Sequence, residues 1–129
     1  HALRLGPPGR YTLQAAIAVE HLHGPDWDRI AALYSHLAAL GPDPVVELNR
    51  AVAIALAGDL DDGLARIEAL TAKLDRYHYL HATRAELLRR LERIDDARAA
   101  YNRALALVHS DAERRFLERR LAELDEGVE

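Results

Sequence analysis

The chain is predicted to be all-α: a right-handed α-solenoid of three helical hairpins closed by a C-terminal capping helix. Three observations predict this. Apolar residues recur at helical spacing in successive segments separated by Gly/Pro turns, and no segment alternates as a strand would. Residues 50–104 contain one unit twice. A shift of 34 positions sets Arg50 on Arg84, Ala51 on Ala85, Ile54 on Leu88, Leu60 on Ile94, Asp61-Asp62 on Asp95-Asp96, Gly63 on Ala97 and Ile67 on Tyr101. A helix–turn–helix unit of that length cannot bury its apolar face alone and stacks on neighbours. Finally, 129 residues with 50% apolar and 29% charged content suffice for one folded domain with its own core.

Residues 1–10 are broken by Gly6-Pro7-Pro8-Gly9 and read as a linker or the end of a preceding helix. Leu13, Ala16, Ile17, Val19 and Leu22 then mark a helix over about 11–23, stopped by Gly24-Pro25. Asp26 is placed to cap a second helix, in which Trp27, Ile30, Ala31, Leu33, Tyr34, Leu37, Ala38 and Leu40 form a stripe broad enough to need cover on two sides. A third helix, 44–57, begins at Pro44, where the missing N–H costs nothing, and Gly58-Asp59 turns into a fourth over 60–74. Helices over 76–91 and 94–109 follow. The cap over about 111–126 starts with Ser110-Asp111-Ala112-Glu113, a capping-box pattern, with Ala112, Phe116, Leu117, Leu121 and Leu124 on one face and Arg114, Arg115 and Arg119 turned outward.

Composition excludes several functions. A net charge of −4 argues against this segment gripping a nucleic-acid backbone by itself, and the absence of cysteine excludes disulfides and thiolate metal sites. There is no signal peptide and no apolar run of spanning length, so neither secretion nor membrane association is expected and a cytoplasmic location is. Starting in mid-pattern and lacking methionine, the chain reads as a segment of a longer protein.

Enzyme chemistry lacks a foothold: no Gly-rich phosphate loop, nucleophile elbow or two-histidine zinc motif occurs. The paired aspartates 61-62 and 95-96 open helices, where negative charge offsets the helix dipole. His21 and His23 fall on different helix faces, and His78 and His81 lack further converging ligands, so neither a metal nor another cofactor is expected.

Three helix pairs and a cap resemble a tetratricopeptide array, with units about 11–43, 44–77 and 78–109 inside a domain of 11–126. Asp26-Trp27, Asp59-Leu60 and Arg93-Ile94 are the equivalent starts of the second helix. Glu47 and His81 replace the general first-helix aromatic, and Arg50 and Arg84 replace its leucine. The phrases Tyr11-Thr-Leu-Gln-Ala-Ala-Ile-Ala, Pro44-Val-Val-Glu-Leu-Asn-Arg-Ala-Val-Ala and Tyr79-Leu-His-Ala-Thr-Arg-Ala-Glu-Leu-Leu-Arg-Arg-Leu look like the C-terminal extension of certain bacterial extracytoplasmic-function sigma factors. The ending Glu113-Arg-Arg-Phe-Leu-Glu-Arg-Arg-Leu fits the same extension. The resemblance implies a non-catalytic module that controls transcription initiation through contacts with the sigma factor's own core regions, RNA polymerase or a regulator.

By analogy with the inner lining of such arrays, the candidate partner-binding residues are Val45, Leu48, Val52, Leu56, Tyr79, Glu86, Arg89 and Arg90. Glu47, Arg50, His81 and Arg84 form either a polar spine or a pocket. As a spine, each arginine is held between helices by a carboxylate such as Glu20, Glu47 or Glu86, and removing a partner from a buried pair costs roughly 3–5 kcal/mol. As a pocket, the forks take a carboxylate from a partner. Two rival functions stay open: a free-standing adaptor or dimerisation domain, and a small-molecule sensor using those four residues.

Overall fold

A computed structural model describes residues 26–127, which form six helices and no strand. The helices are α1 (Trp27–Ala38), α2 (Pro44–Leu56), α3 (Leu60–Leu70), α4 (His78–Arg90), α5 (Ile94–Leu107) and α6 (Asp111–Gly127). The linker at 1–10, the helix expected over 11–23, and Glu20, His21 and His23 lie outside the described residues. The chain divides into two compact units between Arg66 and Ile67, inside α3.

In the first unit, Asp26 caps α1 by accepting from Arg29 N–H at 3.1 Å. Asp43 caps α2 from outside Pro44, its carboxylate accepting from Val45 and Val46 N–H. Trp27 and Tyr34 on α1 bury against Val46 and Ala53 on α2, with Ile30, Ala31, Ala38 and Leu56 packed around them. The stripe ends sooner than its composition predicts: Leu37 is partly exposed and Leu40 is 83% exposed, because α1 stops at Ala38 and Leu40 falls in the turn. Gly63 brings α3 down onto α2. A Cβ there would stand 2.4 Å from Ala55 Cβ and 2.7 Å from the Ala51 carbonyl oxygen, so only glycine permits this approach.

In the second unit, α4 is buried on nearly every side, from His78 to Leu88, as a helix with neighbours around it must be. It packs against α5 through the stripe Ala97, Ala100, Tyr101 and Ala104, and α6 covers α5 with Leu117 and Leu124. Ala112, expected on the same apolar face, is exposed in the first turn of α6, whereas Arg114, Arg115 and Arg119 are exposed as expected. Three helix ends move inward by two or more residues from their predicted positions, α5 among them, ending at Leu107 rather than 109. α3 stops at Leu70, where the Thr71 hydroxyl donates to the Ile67 carbonyl and the Thr71 and Lys73 N–H groups turn the chain with bonds three residues back. α4 starts at His78, after an extended Tyr77.

The 34-residue period is reproduced bond by bond. α2 and α4 begin at Pro44 and His78, and α3 and α5 at Leu60 and Ile94, each pair 34 positions apart. α2 ends with Gly58 N–H donating to the Ala55 carbonyl and Asp59 N–H to that of Ile54. α4 ends with Glu92 N–H donating to Arg89 and Arg93 N–H to Leu88, the same two bonds 34 residues on. Both ends are Schellman caps around one left-handed residue: Gly58 at φ 130° in the first, and Glu92 at φ 61° in the second. The small residue four positions into the next helix is Gly63 in one copy and fully buried Ala97 in the other.

Candidate functional site

The two arginines that stand in for leucine do not enter the core. Arg50 Nε donates to Ser35 Oγ at 2.9 Å, and its terminal nitrogen lies 3.7 Å from Glu47; the two side chains are 28% and 36% exposed. Arg84 Nε donates to Glu68 at 2.9 Å, not to Glu86. Each guanidinium therefore has a carboxylate, but at a half-exposed helix surface where water competes, so the pairs are worth far less than buried ones. The polar spine is found in part: Arg50 on α2 reaches across to Ser35 on α1 and Arg84 on α4 to Glu68 on α3, so both are held between helices as expected, but with partly exposed heads rather than in the core. Glu47 and Arg50 belong to the first unit, His81 and Arg84 to the second.

His81 is buried. Its Nε2 lies 2.7 Å from the Asp75 carbonyl oxygen, and since a carbonyl only accepts, that nitrogen carries the proton and donates. Asp75 also binds Arg103, through its carboxylate at 3.0 Å. This ties the turn before α4 to α5 and leaves His81 Nε2 committed to structure. His78 Nε2 faces Glu113 at 3.2 Å, and the Tyr79 hydroxyl donates to the same carboxylate. Ser110 Oγ accepts from Glu113 N–H at 3.3 Å, half of the expected capping box. The other half is corrected, because the Glu113 side chain turns to Tyr79 and His78 on α4 rather than back to the cap.

Of the eight residues expected to line a groove, Leu48, Val52, Tyr79 and Glu86 are buried. Val45, Leu56, Arg89 and Arg90 remain half-buried. Glu86 is the least expected of them. Its carboxylate accepts from the Tyr101 hydroxyl at 2.6 Å, from Arg120 Nε at 2.8 Å and from Arg89 at 3.0 Å, joining α4, α5 and α6 at one buried charge. Burial and the neighbouring Glu86 both hold the Tyr101 hydroxyl well above its usual range, so it stays protonated and donates. Burial works against the charge of Arg89, but the Glu86 carboxylate more than offsets it and the net shift is upward. For Arg90, burial and then Arg120 lower the pKa below the ordinary guanidinium value.

Sequence reasoning set Tyr101 on Ile67 as an apolar position of the repeat and did not single out Arg120, and so missed this cluster. The available signal was Glu86, Arg89 and Arg90 at i, i+3 and i+4 on a helix otherwise buried on all sides. Asn49, also passed over, is 97% buried on α2 with neither amide atom hydrogen-bonded. Among the described residues no group of three histidines or carboxylates converges as a metal site, and no helix is long and apolar enough to cross a membrane.

No family model matches the chain, and no solved structure matches it. A curated relative, an uncharacterized protein of Rhizobium meliloti (strain 1021), is 40% identical over 128 residues. The match takes in 95% of this chain but 30% of the relative, so the chain spans less than a third of the length of the protein it resembles.

Proposed function

We propose that this chain is a non-catalytic protein-interaction module, a tetratricopeptide-like array of helical hairpins serving as the regulatory extension of an extracytoplasmic-function sigma factor. One observation carries the array reading: the starts of both helices, the end of the first helix and the bonds of its Schellman cap recur at 34 residues. Repetition of that detail is the mark of a stacked unit whose copies bury each other's apolar faces. The sigma-factor reading is supported by the sequence phrases around Pro44 and Tyr79. In the Rhizobium relative, moreover, the matching stretch is one part of a longer polypeptide, as a module appended to other regions requires. The mechanism is stoichiometric: in the cytoplasm, the module holds the sigma core regions, polymerase or a regulator, and performs no chemistry.

The test has two steps. The coding sequence upstream of His1 is read for a helix-turn-helix region, whose absence removes the sigma factor from the proposal. The full-length protein and a version lacking residues 11–126 are then compared in transcription with purified polymerase. Equal activity and equal polymerase binding would remove the regulatory role.

A further inference from the structure

α6 lies over the residues of α4 that the sequence marks as a landing face for a partner. The Tyr79 hydroxyl donates to Glu113, and Arg120 Nε donates to Glu86 at 2.8 Å. Both bonds join residues 34 positions apart, from 79 to 113 and from 86 to 120, so α6 runs alongside α4 in the same direction and in register with it. On α6 the anchors belong to a stripe of Glu113, Leu117, Arg120 and Leu124, at steps of four, three and four. The matching stripe on α4 is Tyr79, Thr83, Glu86 and Arg90, at the same steps. Tyr79, Glu86 and Arg90 are among the residues expected to line a groove. That face is filled from within the chain.

Three features make this occupant exchangeable. α6 follows α5 through Val108–Ser110, where Val108 is already extended (φ −74°, ψ 151°), so the joint is non-helical before any movement. Among the described residues of α6 only Leu117 and Leu124 are buried, against ten on α4, so its departure gives up little apolar burial. Elements of that kind open before the core does. Departure also strands no buried charge, because Glu86 keeps the Tyr101 hydroxyl at 2.6 Å and Arg89 at 3.0 Å.

We propose that α6 is a displaceable strap over the partner-binding face of α4, and that the partner is an amphipathic helix carrying α6's own pattern. That pattern is a carboxylate, a leucine four residues on, an arginine three further and a leucine four beyond it. Tyr79 at one end of the seat donates to a carboxylate, and Glu86 at the other accepts from a guanidinium. The seat therefore reads both the charges and the direction of a helix laid on it. The proposal rests on the interaction-module reading and gives it a surface and a partner chemistry.

The test uses the 129-residue chain and, as the probe, a fluorescent peptide of residues 109–127. In native-state hydrogen exchange the α6 amides are expected to exchange as one block, at least about tenfold faster than the buried amides of α4. Leu117→Ala with Leu124→Ala loosens α6 without touching α4 or α5. This variant is expected to bind the probe at least about tenfold more tightly than wild type, whose seat is occupied. If the double variant loses its helical circular dichroism, Leu124→Ala alone takes its place. A second probe with Glu113→Arg and Arg120→Glu, the same composition with its anchors exchanged, is expected to bind at least about tenfold more weakly.

Exchange of α6 and α4 amides together, at the rate of global unfolding, overturns the strap and makes α6 a fixed part of the fold. No gain in probe binding by the loosened variant overturns it too. Equal binding of the two probes overturns the recognition pattern. A pull-down with the separately expressed upstream regions separates this claim from the reading beneath it. Capture by wild type and by the loosened variant alike removes the strap and leaves the module reading. Probe binding without any capture keeps the strap and removes the sigma core as its partner.

Discussion

Replacing Glu86 by glutamine keeps the side chain's volume and removes its charge, and the structure sets the size of the effect. The carboxylate is 2% exposed as a residue and takes three donors, from Tyr101, Arg120 and Arg89. Breaking one partner of a fully buried ion pair costs roughly 3–5 kcal/mol. Two adjustments lower that figure. Arg120 and Arg89 are 14% and 24% exposed and can turn their heads toward water, and the glutamine oxygen can still accept from Tyr101. A loss of about 2–3 kcal/mol is expected for Glu86→Gln. Glu86→Ala should lose about 1 kcal/mol more, because it also leaves a cavity and strands the buried tyrosine hydroxyl.

Urea unfolding followed by far-UV circular dichroism measures both, and a double-mutant cycle with Tyr101→Phe isolates the pair, with a coupling of at least about 1 kcal/mol expected. A Glu86→Gln variant losing less than about 0.5 kcal/mol, the scatter of an ordinary surface change, would refute the claim that this residue ties three helices together.

Gly63→Ala gains about 1 kcal/mol of helix propensity but drives a methyl into Ala55 and the α2 backbone, so a net loss of about 1–3 kcal/mol is expected by denaturant titration. Glu92→Gly relieves the left-handed backbone at the α4 cap and should raise stability by roughly 0.5–1 kcal/mol; a melting scan with an unchanged or lower midpoint would contradict the cap assignment. Tyr101 sets an alkaline limit. Its folded-state pKa lies above the unfolded value near about 10, so its contribution is fully present below that pH and is lost as pH rises above it, at about 1.4 kcal/mol per pH unit. Unfolding free energies measured across that range should fall less steeply for Tyr101→Phe, and identical slopes would contradict the assignment. Arg84→Ala, whose side chain and that of Glu68 are 24% and 42% exposed, should cost about 1 kcal/mol or less by thermal melting, and a loss several times larger would restore a buried spine.

The parts of the fold that were legible in the sequence are those set by local chemistry. Asp26 before Trp27 and Pro44 at a helix start predicted the first turns of α1 and α2 correctly, because a cap or a first-turn proline needs only its immediate neighbours. The 34-residue shift aligned residues that prove to hold equivalent backbone bonds, even where the left-handed position changes from Gly58 to Glu92 and sequence identity gives no cue. The site was less legible because a side chain's fate on a helix depends on what packs over it. Arg50 and Arg84 stand at a position the repeat usually buries, and Glu86 at one it usually opens to a partner, yet the burial of the charges is reversed.

The reversal has a physical reason in the length and flexibility of the two residue types. An arginine is long enough to keep its charge near the surface and meet Ser35 or Glu68 on the neighbouring helix, or Glu47 on its own. A glutamate is too short to do the same from a central helix, so once α5 and α6 pack over α4, donors have to come to it. Tyr101 and Arg120 do so from those two helices, and their sequence separation from Glu86 is what hid the cluster.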